Sequence, residues 1–209
     1  MIEFKDIIDT EEDLRTILGN PSELVSKKTI LNIDKHCRDF ISKSPIVFIS
    51  TSNKQGLCDV SPRGDIPGFV ACINDDYLVI PERPGNKRCD SLTNIISNPN
   101  IGMIFLIPGL KETLRINGKA FVTNDEDILS KHEVEHKRPK LAIVVKVEEC
   151  YIHCAKAFMR SKIWQQEFWI MENELPVVPN ILADHVNHER YTSKEISEAL
   201  EESYSKRLY

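Results

Sequence analysis

The chain lacks several features that would classify it at once. It has no excess of positive charge: its formal net charge is −5 over 209 residues. That argues against a general nucleic-acid or membrane-surface binder. No apolar run approaches the roughly 18 residues that a membrane span requires. Its six cysteines, at 37, 58, 72, 89, 150 and 154, follow no framework spacing and include no C-x-x-C pair. In a reducing compartment such cysteines are free thiols packed as small apolar groups. The charged start, Met1-Ile2-Glu3-Phe4-Lys5-Asp6, does not read as a signal peptide, so the expected location is the cytoplasm. A Gly-rich nicotinamide fingerprint, an internal repeat and a low-complexity tract are also missing.

What is present changes texture along the chain. Residues 1–44 read as helical, with Thr10 and Ser22 as N-caps and a break at Gly19-Asn20-Pro21. Strand signals begin at Ile46-Val47-Phe48-Ile49 and recur at 57–61, 69–73, 77–80, 101–107, 113–123 and 141–153. Ile101 to Ile107 is almost wholly apolar and predicts a strand covered on both faces. Helices are expected over 86–97, stopped by Asn98-Pro99, and over 125–136. Helical signals return after Cys154, and a loop containing Pro176 and Pro179 leads to a helix at 193–206. About six strands with one helix crossing in the middle suggest a closed or nearly closed barrel. The absence of β-α alternation argues against a doubly wound sheet.

Two segments concentrate basic side chains where the backbone leaves regular structure. The first is Cys58-Asp59-Val60-Ser61-Pro62-Arg63-Gly64-Asp65; the second is Pro81-Glu82-Arg83-Pro84-Gly85-Asn86-Lys87-Arg88. Arg63 sits between Pro62 and Gly64, which brings backbone close to a ligand. The competing reading is a salt bridge from Arg63 to Asp65. Asn86, Lys87 and Arg88 fall at the expected helix start, where the dipole disfavours cations. An anion bound there removes the conflict. Ser91 then faces the same side as Lys87 at i,i+4. Together these residues read as a phosphate site.

Other clusters are weaker. His132-Glu133-Val134-Glu135-His136 matches H-x-x-E-H and places both histidines on one helix face, but Lys131, Lys137 and Arg138 disfavour a dication. Cys150, His153 and Cys154 form an incomplete zinc set; strand alternation points the two thiols to one face as a buried pair. Asp184, His185 and His188 are a similar weak signal. No metal is expected. Lys156 and Arg160 lie one helical turn apart, on what reads equally as a solvated face.

The two basic segments, together with Asp90-Ser91-Leu92, Asn98-Pro99, Pro108-Gly109, Glu112-Thr113-Leu114-Arg115-Ile116-Asn117-Gly118 and His153-Cys154-Ala155-Lys156-Ala157-Phe158, resemble the pyridoxamine 5′-phosphate oxidase-like superfamily of FMN-binding split barrels. The resemblance spans roughly residues 35–165 and is closest to a bacterial subgroup distinct from the true oxidases. It implies a mainly β protein with peripheral helices. The expected organisation is a six-stranded split β-barrel at 45–165 with helical extensions at 1–44 and 166–209, the latter packing on the barrel or a partner. It implies a homodimer with FMN in two equivalent clefts at the interface. By position, Ser61 and Arg63 match the strand contribution to the flavin phosphate, and Asn86, Lys87, Arg88 and Ser91 match the helix contribution. Thr113 or Arg115 falls where the family contacts the flavin ring. Lys156 and Arg160 fall near a segment that reaches the ring from the partner subunit. The C-terminal block rich in Arg and Trp that recognises pyridoxal phosphate is not found, so a vitamin B6 substrate is not implied.

The function expected from this resemblance is an FMN-dependent oxidoreductase. It moves hydride between a nicotinamide donor, NADH or NADPH, and a small molecule. Arg115, Lys156 and Arg160 are the cations that would favour the reduced ring. The alternatives are a flavin-binding or sensor protein without turnover, and a split barrel holding haem or a deazaflavin.

Overall fold

A computed structural model describes residues 4–209; residues 1–3 of the charged start lie outside the described residues. Three short helices come first: α1 (Glu11–Leu18), α2 (Glu23–Lys27) and α3 (Lys35–Lys43). Thr10, Ser22 and Asp34 cap them, each side chain accepting from the backbone N–H three residues on. Only α3 buries side chains, and Cys37, Phe40 and Ile41 stand at the i, i+3, i+4 spacing of one face.

The strands are β1 (Ile46–Ser52), β2 (Cys58–Gly64), β3 (Ala71–Cys72), β4 (Tyr77–Pro81), β5 (Asn100–Leu106), β6 (Thr113–Thr123) and β7 (Ala142–His153). They form one sheet in the order β2-β1-β5-β6-β7-β4-β3, with every pairing antiparallel. The count is seven rather than the expected six. β3, inside the strand signal at 69–73, pairs through only two residues at the edge of the sheet. Asn74 Oδ1 accepts from the N–H groups of Asp76 and Tyr77 and shapes the turn that returns the chain from β3 to β4.

The inward side chains of β1, β4, β5, β6 and β7 share one core with Leu92 and Ile95 of α4 (Asp90–Ser97). A single cluster fed by strands from so far apart in the sheet order requires the sheet to curl, as a split barrel does. In β5 the alternation is strict. Ile101, Met103 and Phe105 are buried, while Ile104 is 38% exposed. The expectation of cover on both faces is therefore corrected: within one chain the outer face of β5 is open.

β6 is continuous across Asn117-Gly118, with a shift of register against β7 at that point. A Cβ on Gly118 would fall well inside contact distance of the Lys146 carbonyl oxygen. The strand needs glycine there because two backbones approach too closely for any side chain.

The expected helix over 125–136 is shorter. α5 (Glu126–Leu129) gives way to a single tight turn at Ser130–His132. Left-handed backbone at Glu135 and His136 then prevents continuation. After β7 come α6 (Lys156–Ser161), α7 (Val178–Val186) and α8 (Ser193–Lys206). α7 occupies what reads as a Pro-containing loop. Pro179 lies in its first turn, where the missing N–H has no helical partner to lose. α8 begins with a reciprocal capping box between Thr192 and Glu195. Among the described residues, no helix is long and apolar enough to cross a membrane.

Gly118→Ala should lower stability by roughly 2–4 kcal/mol, because the blocking atom is backbone held in β7. Gly85→Ala, which meets nothing within 4 Å, should stay within about 0.5 kcal/mol. Denaturant midpoints of the two variants check the contrast.

Candidate functional site

β2 alternates so that Asp59, Ser61 and Arg63 turn inward while Val60 and Pro62 face out. Its partner β1 places Val47, Ile49 and Thr51 opposite those three. Among the described residues β2 has no strand neighbour on its other side, so its polar inward row lines an opening rather than the apolar core.

The segment after β4 forms the facing wall. The expected helix start at Asn86 is corrected: α4 begins at Asp90. Lys87 and Cys89 have φ values of 62° and 59°, left-handed backbone that a helix cannot contain. Asn86 Oδ1 accepts from the Arg88 N–H at 3.0 Å and stabilises this turn. Lys87 and Arg88 thus precede the helix rather than opening it, and Lys87 and Ser91 are not an i,i+4 pair. Arg88 instead pairs with Asp90 at 2.8 Å, largely in solvent.

Hydrogen bonds join the two walls. Ser91 Oγ donates to Asp59 Oδ2 at 2.7 Å. Its proton is committed there, so Ser61 Oγ donates to Ser91 Oγ across 3.0 Å. Arg63 Nη1 donates to Ser61 Oγ at 2.7 Å and to the Pro62 carbonyl at 3.0 Å. Arg63 Nε pairs with Glu82 Oε2 at 3.2 Å. The competing Arg63–Asp65 bridge is thereby corrected. Asp65 belongs to Arg83, whose Nε lies 2.6 Å from Oδ2, with the Asp65 side chain fully buried.

Between these walls is a cavity of about 810 Å³, within the range of small-molecule and cofactor sites. Its lining carries six basic side chains, Arg63, Arg83, Lys87, Arg88, Arg138 and Lys140, against three carboxylates. Lys87 and Lys140 have no carboxylate partner among the described residues. Arg63 Nη2 likewise makes no hydrogen bond among them. The site therefore offers an unused guanidinium edge and two free ammonium groups to an anion, with both serine protons engaged inside the wall.

Of the residues singled out from sequence, Ser61, Arg63, Asn86, Lys87, Arg88 and Ser91 all line this cavity. Thr113, Arg115, Lys156 and Arg160 do not. Thr113 is buried opposite His153. Arg115 lies on the outer face of β6, opposite Ile104 and Tyr151, with its guanidinium 5.7 Å from the Tyr151 ring centre. Lys156 and Arg160 are exposed on α6. Sequence reasoning missed the roles of Asp59 and Glu82. Asp59 was accessible by alternation from Ser61 and Arg63; the Glu82 partnership needed the tertiary fold.

The other clusters resolve differently. His132 and His136 do not share a helix face. The His132 pKa is lowered by burial and then by Arg83 and Lys131. Cys150 is buried, but against Cys37 rather than Cys154, which is exposed.

Tyr209 reaches the cavity wall from the far end of the described chain. Its hydroxyl donates to Asp65 Oδ1 at 2.6 Å, and its ring centre lies 5.7 Å from the Arg83 guanidinium carbon. Burial pulls the Asp65 pKa up, but the bonds from Tyr209, the Ile66 N–H and Arg83 together hold it below the usual value.

Residues 33–154 match the family model described as pyridoxamine 5′-phosphate oxidase. This is more than half of the chain, and the chain belongs to that family. No curated protein matches it in sequence. Among solved structures, HupZ of Group A Streptococcus is 16% identical with a TM-score of 0.47, covering 57% of this chain and 93% of that one. An FMN-binding protein from Syntrophomonas wolfei is 12% identical with a TM-score of 0.42, covering 68% and 96%. Neither likeness is close enough to carry a ligand or activity across.

The folded-state pKa of Asp65 lies below its unfolded value, so its ionised form stabilises the fold. That contribution is complete above the ordinary carboxylate pKa of about 4 and fades as pH falls through the lower folded value. Asp65→Asn should cost roughly 3 kcal/mol or more at pH 7, since it strands Arg83. Denaturation midpoints of both proteins at stepped pH should show a constant gap from pH 7 to about 5 that narrows below about 4.

Proposed function

We propose that this chain is an FMN-binding flavoprotein. It acts as an oxidoreductase that moves hydride between NADH or NADPH and a small-molecule substrate. One observation carries the reading: side chains from β2 and from the start of α4 converge with the loop at 82–89 on a single cavity of mixed hydroxyl and cationic character. Family membership supports it further.

The residues present fit a phosphate. In this reading the free Nη2 of Arg63, Lys87 and Arg88 hold it, Ser61 joins them once its hydroxyl turns from Ser91, and Glu82 keeps Arg63 in place. FMN, when bound, supplies two-electron redox chemistry, and no protein nucleophile is needed. One compact anion site favours FMN over FAD.

The ring contacts need a second copy of the chain. Arg115, Lys156 and Arg160 lie outside the cavity of their own chain. Arg115 shares an open face with Phe48, Val60 and Ile104, which are 37%, 64% and 38% exposed. A homodimer that buries this face gives those apolar side chains cover and brings cations toward the partner's cleft.

The chromophore released by denaturing the loaded protein should be FMN. FAD, haem or no uptake on reconstitution would overturn the assignment. Bound flavin should bleach on anaerobic addition of NADH or NADPH; a bound flavin that neither reduces leaves a carrier or sensor.

Lys87→Ala should weaken FMN binding by roughly tenfold to a hundredfold, the worth of one charge-assisted contact. Arg63→Ala should weaken it more, because Glu82 is then left as an unpaired anion beside the phosphate. Adding Glu82→Gln to Arg63→Ala should recover part of that loss. Riboflavin, which lacks the phosphate, should be nearly insensitive to Lys87→Ala when titrated by fluorescence.

A further inference from the structure

We propose that Cys37 and Cys150 are a built-in oxidation site that closes to an intramolecular disulfide, clamping the N-terminal segment onto β7. The two Sγ atoms are 3.0 Å apart. This is inside ordinary sulfur–sulfur contact and about 1 Å from the bonded length of roughly 2.05 Å. The pair joins α3 to β7 across a large separation in sequence. Both residues belong to the central core, Cys37 at 7% and Cys150 at 0% exposure. Neither lines the cavity, so this site is separate from the proposed anion site.

The backbone around the pair is already fixed. Cys150 exchanges both main-chain hydrogen bonds with Ile30, at 3.0 and 2.8 Å. The Cys37 N–H donates to the capping Asp34 at 2.8 Å. Closing the bond brings the two sulfurs about 1 Å closer between segments whose main chains are already held in place. The Cys150 thiol donates to the Cys37 sulfur. That bond holds the Cys37 pKa down and, with burial, pushes Cys150 up. Cys37 is thus the more acidic of the two thiols, and it is also the less deeply buried.

The oxidant is a hydroperoxide, of which hydrogen peroxide is the simplest. The Cys37 thiolate attacks one peroxide oxygen, the O–O bond breaks, and hydroxide leaves to take up the proton released by Cys37. Cys37 is then a sulfenic acid. Cys150 Sγ attacks Cys37 Sγ, the S–O bond breaks, and the second hydroxide leaves with the proton from Cys150. Two thiols lose two electrons and two protons, and one peroxide becomes two waters.

The experiment uses the full chain, reduced, freed of reductant and titrated with hydrogen peroxide. After quenching, the protein is denatured, alkylated with iodoacetamide and mapped by mass spectrometry without reduction. The expected product is a peptide pair joined through Cys37 and Cys150, also formed in Cys72→Ala. The oxidised chain should melt roughly 5 °C or more above the reduced chain, and dithiothreitol should reverse the rise. Recovery of both Cys37 and Cys150 as alkylated thiols, at peroxide levels that oxidise the exposed Cys58, Cys89 and Cys154, would overturn the proposal. So would a link from either residue to Cys72. Because the map is made on the unmodified sequence, it does not depend on any variant folding.

Discussion

The two ends of the sheet are held together by side chains rather than by a hydrogen-bonded ladder. β2 stands at one end of the strand order and β4 one place from the other. The chain just past β4 reaches back to β2 and its exit through Arg63–Glu82 and Asp65–Arg83. A ladder would have sealed the barrel. Ion pairs close it while leaving space between the strands, and the cavity occupies that space. Such partly buried pairs add little net stability over an apolar alternative, yet losing one partner is costly. Their contribution is positional: Arg63 is held by Glu82 on one side and Ser61 on the other, so little ordering would remain for the proposed anion to impose.

Proline keeps the seam open. Pro62 lies within β2, and Pro81 ends β4, with Pro84 beyond it. Proline cannot donate to a ladder and is tolerated in sheets mainly on edge strands. The same residues that prevent β2 from acquiring a second neighbour leave its inward row free to be polar. Further into the sheet, where β6 must pass β7 closely, Gly118 removes the side chain altogether. One sheet thus uses proline where it must stay open and glycine where it must close tightly.

Much of this was legible from sequence, and the parts that were not share a cause. Strand identities, the caps at Thr10 and Ser22, and α8 follow from local alternation and capping chemistry, which neighbouring residues determine. The convergence of Ser61 and Arg63 with Lys87 and Ser91 was accessible because each segment carried its own anomaly of charge, Pro and Gly. The helix start failed by four residues because left-handed backbone at Lys87 and Cys89 has no signature in residues that are neither Gly nor Asn. α7 was hidden by Pro179, which reads as a breaker but sits where a helix accepts it. The ion-pair partners of Arg63 and Arg83, and the docking of Tyr209, are contacts between distant segments. Local pattern carries no information about them.

The charge distribution links the composition to the site. The chain as a whole is acidic, with a net charge of −5, whereas the cavity lining has twice as many basic side chains as carboxylates. A cleft of one sign on a surface of the other focuses the field inward. A small anion that fits within the walls meets mainly the free ends of Lys87, Lys140 and Arg63. An extended polyanion would also meet the acidic exterior and be repelled. In the proposed reading, selectivity for a compact phosphate over nucleic acid rests on the placement of charge, without any contact that reads a base.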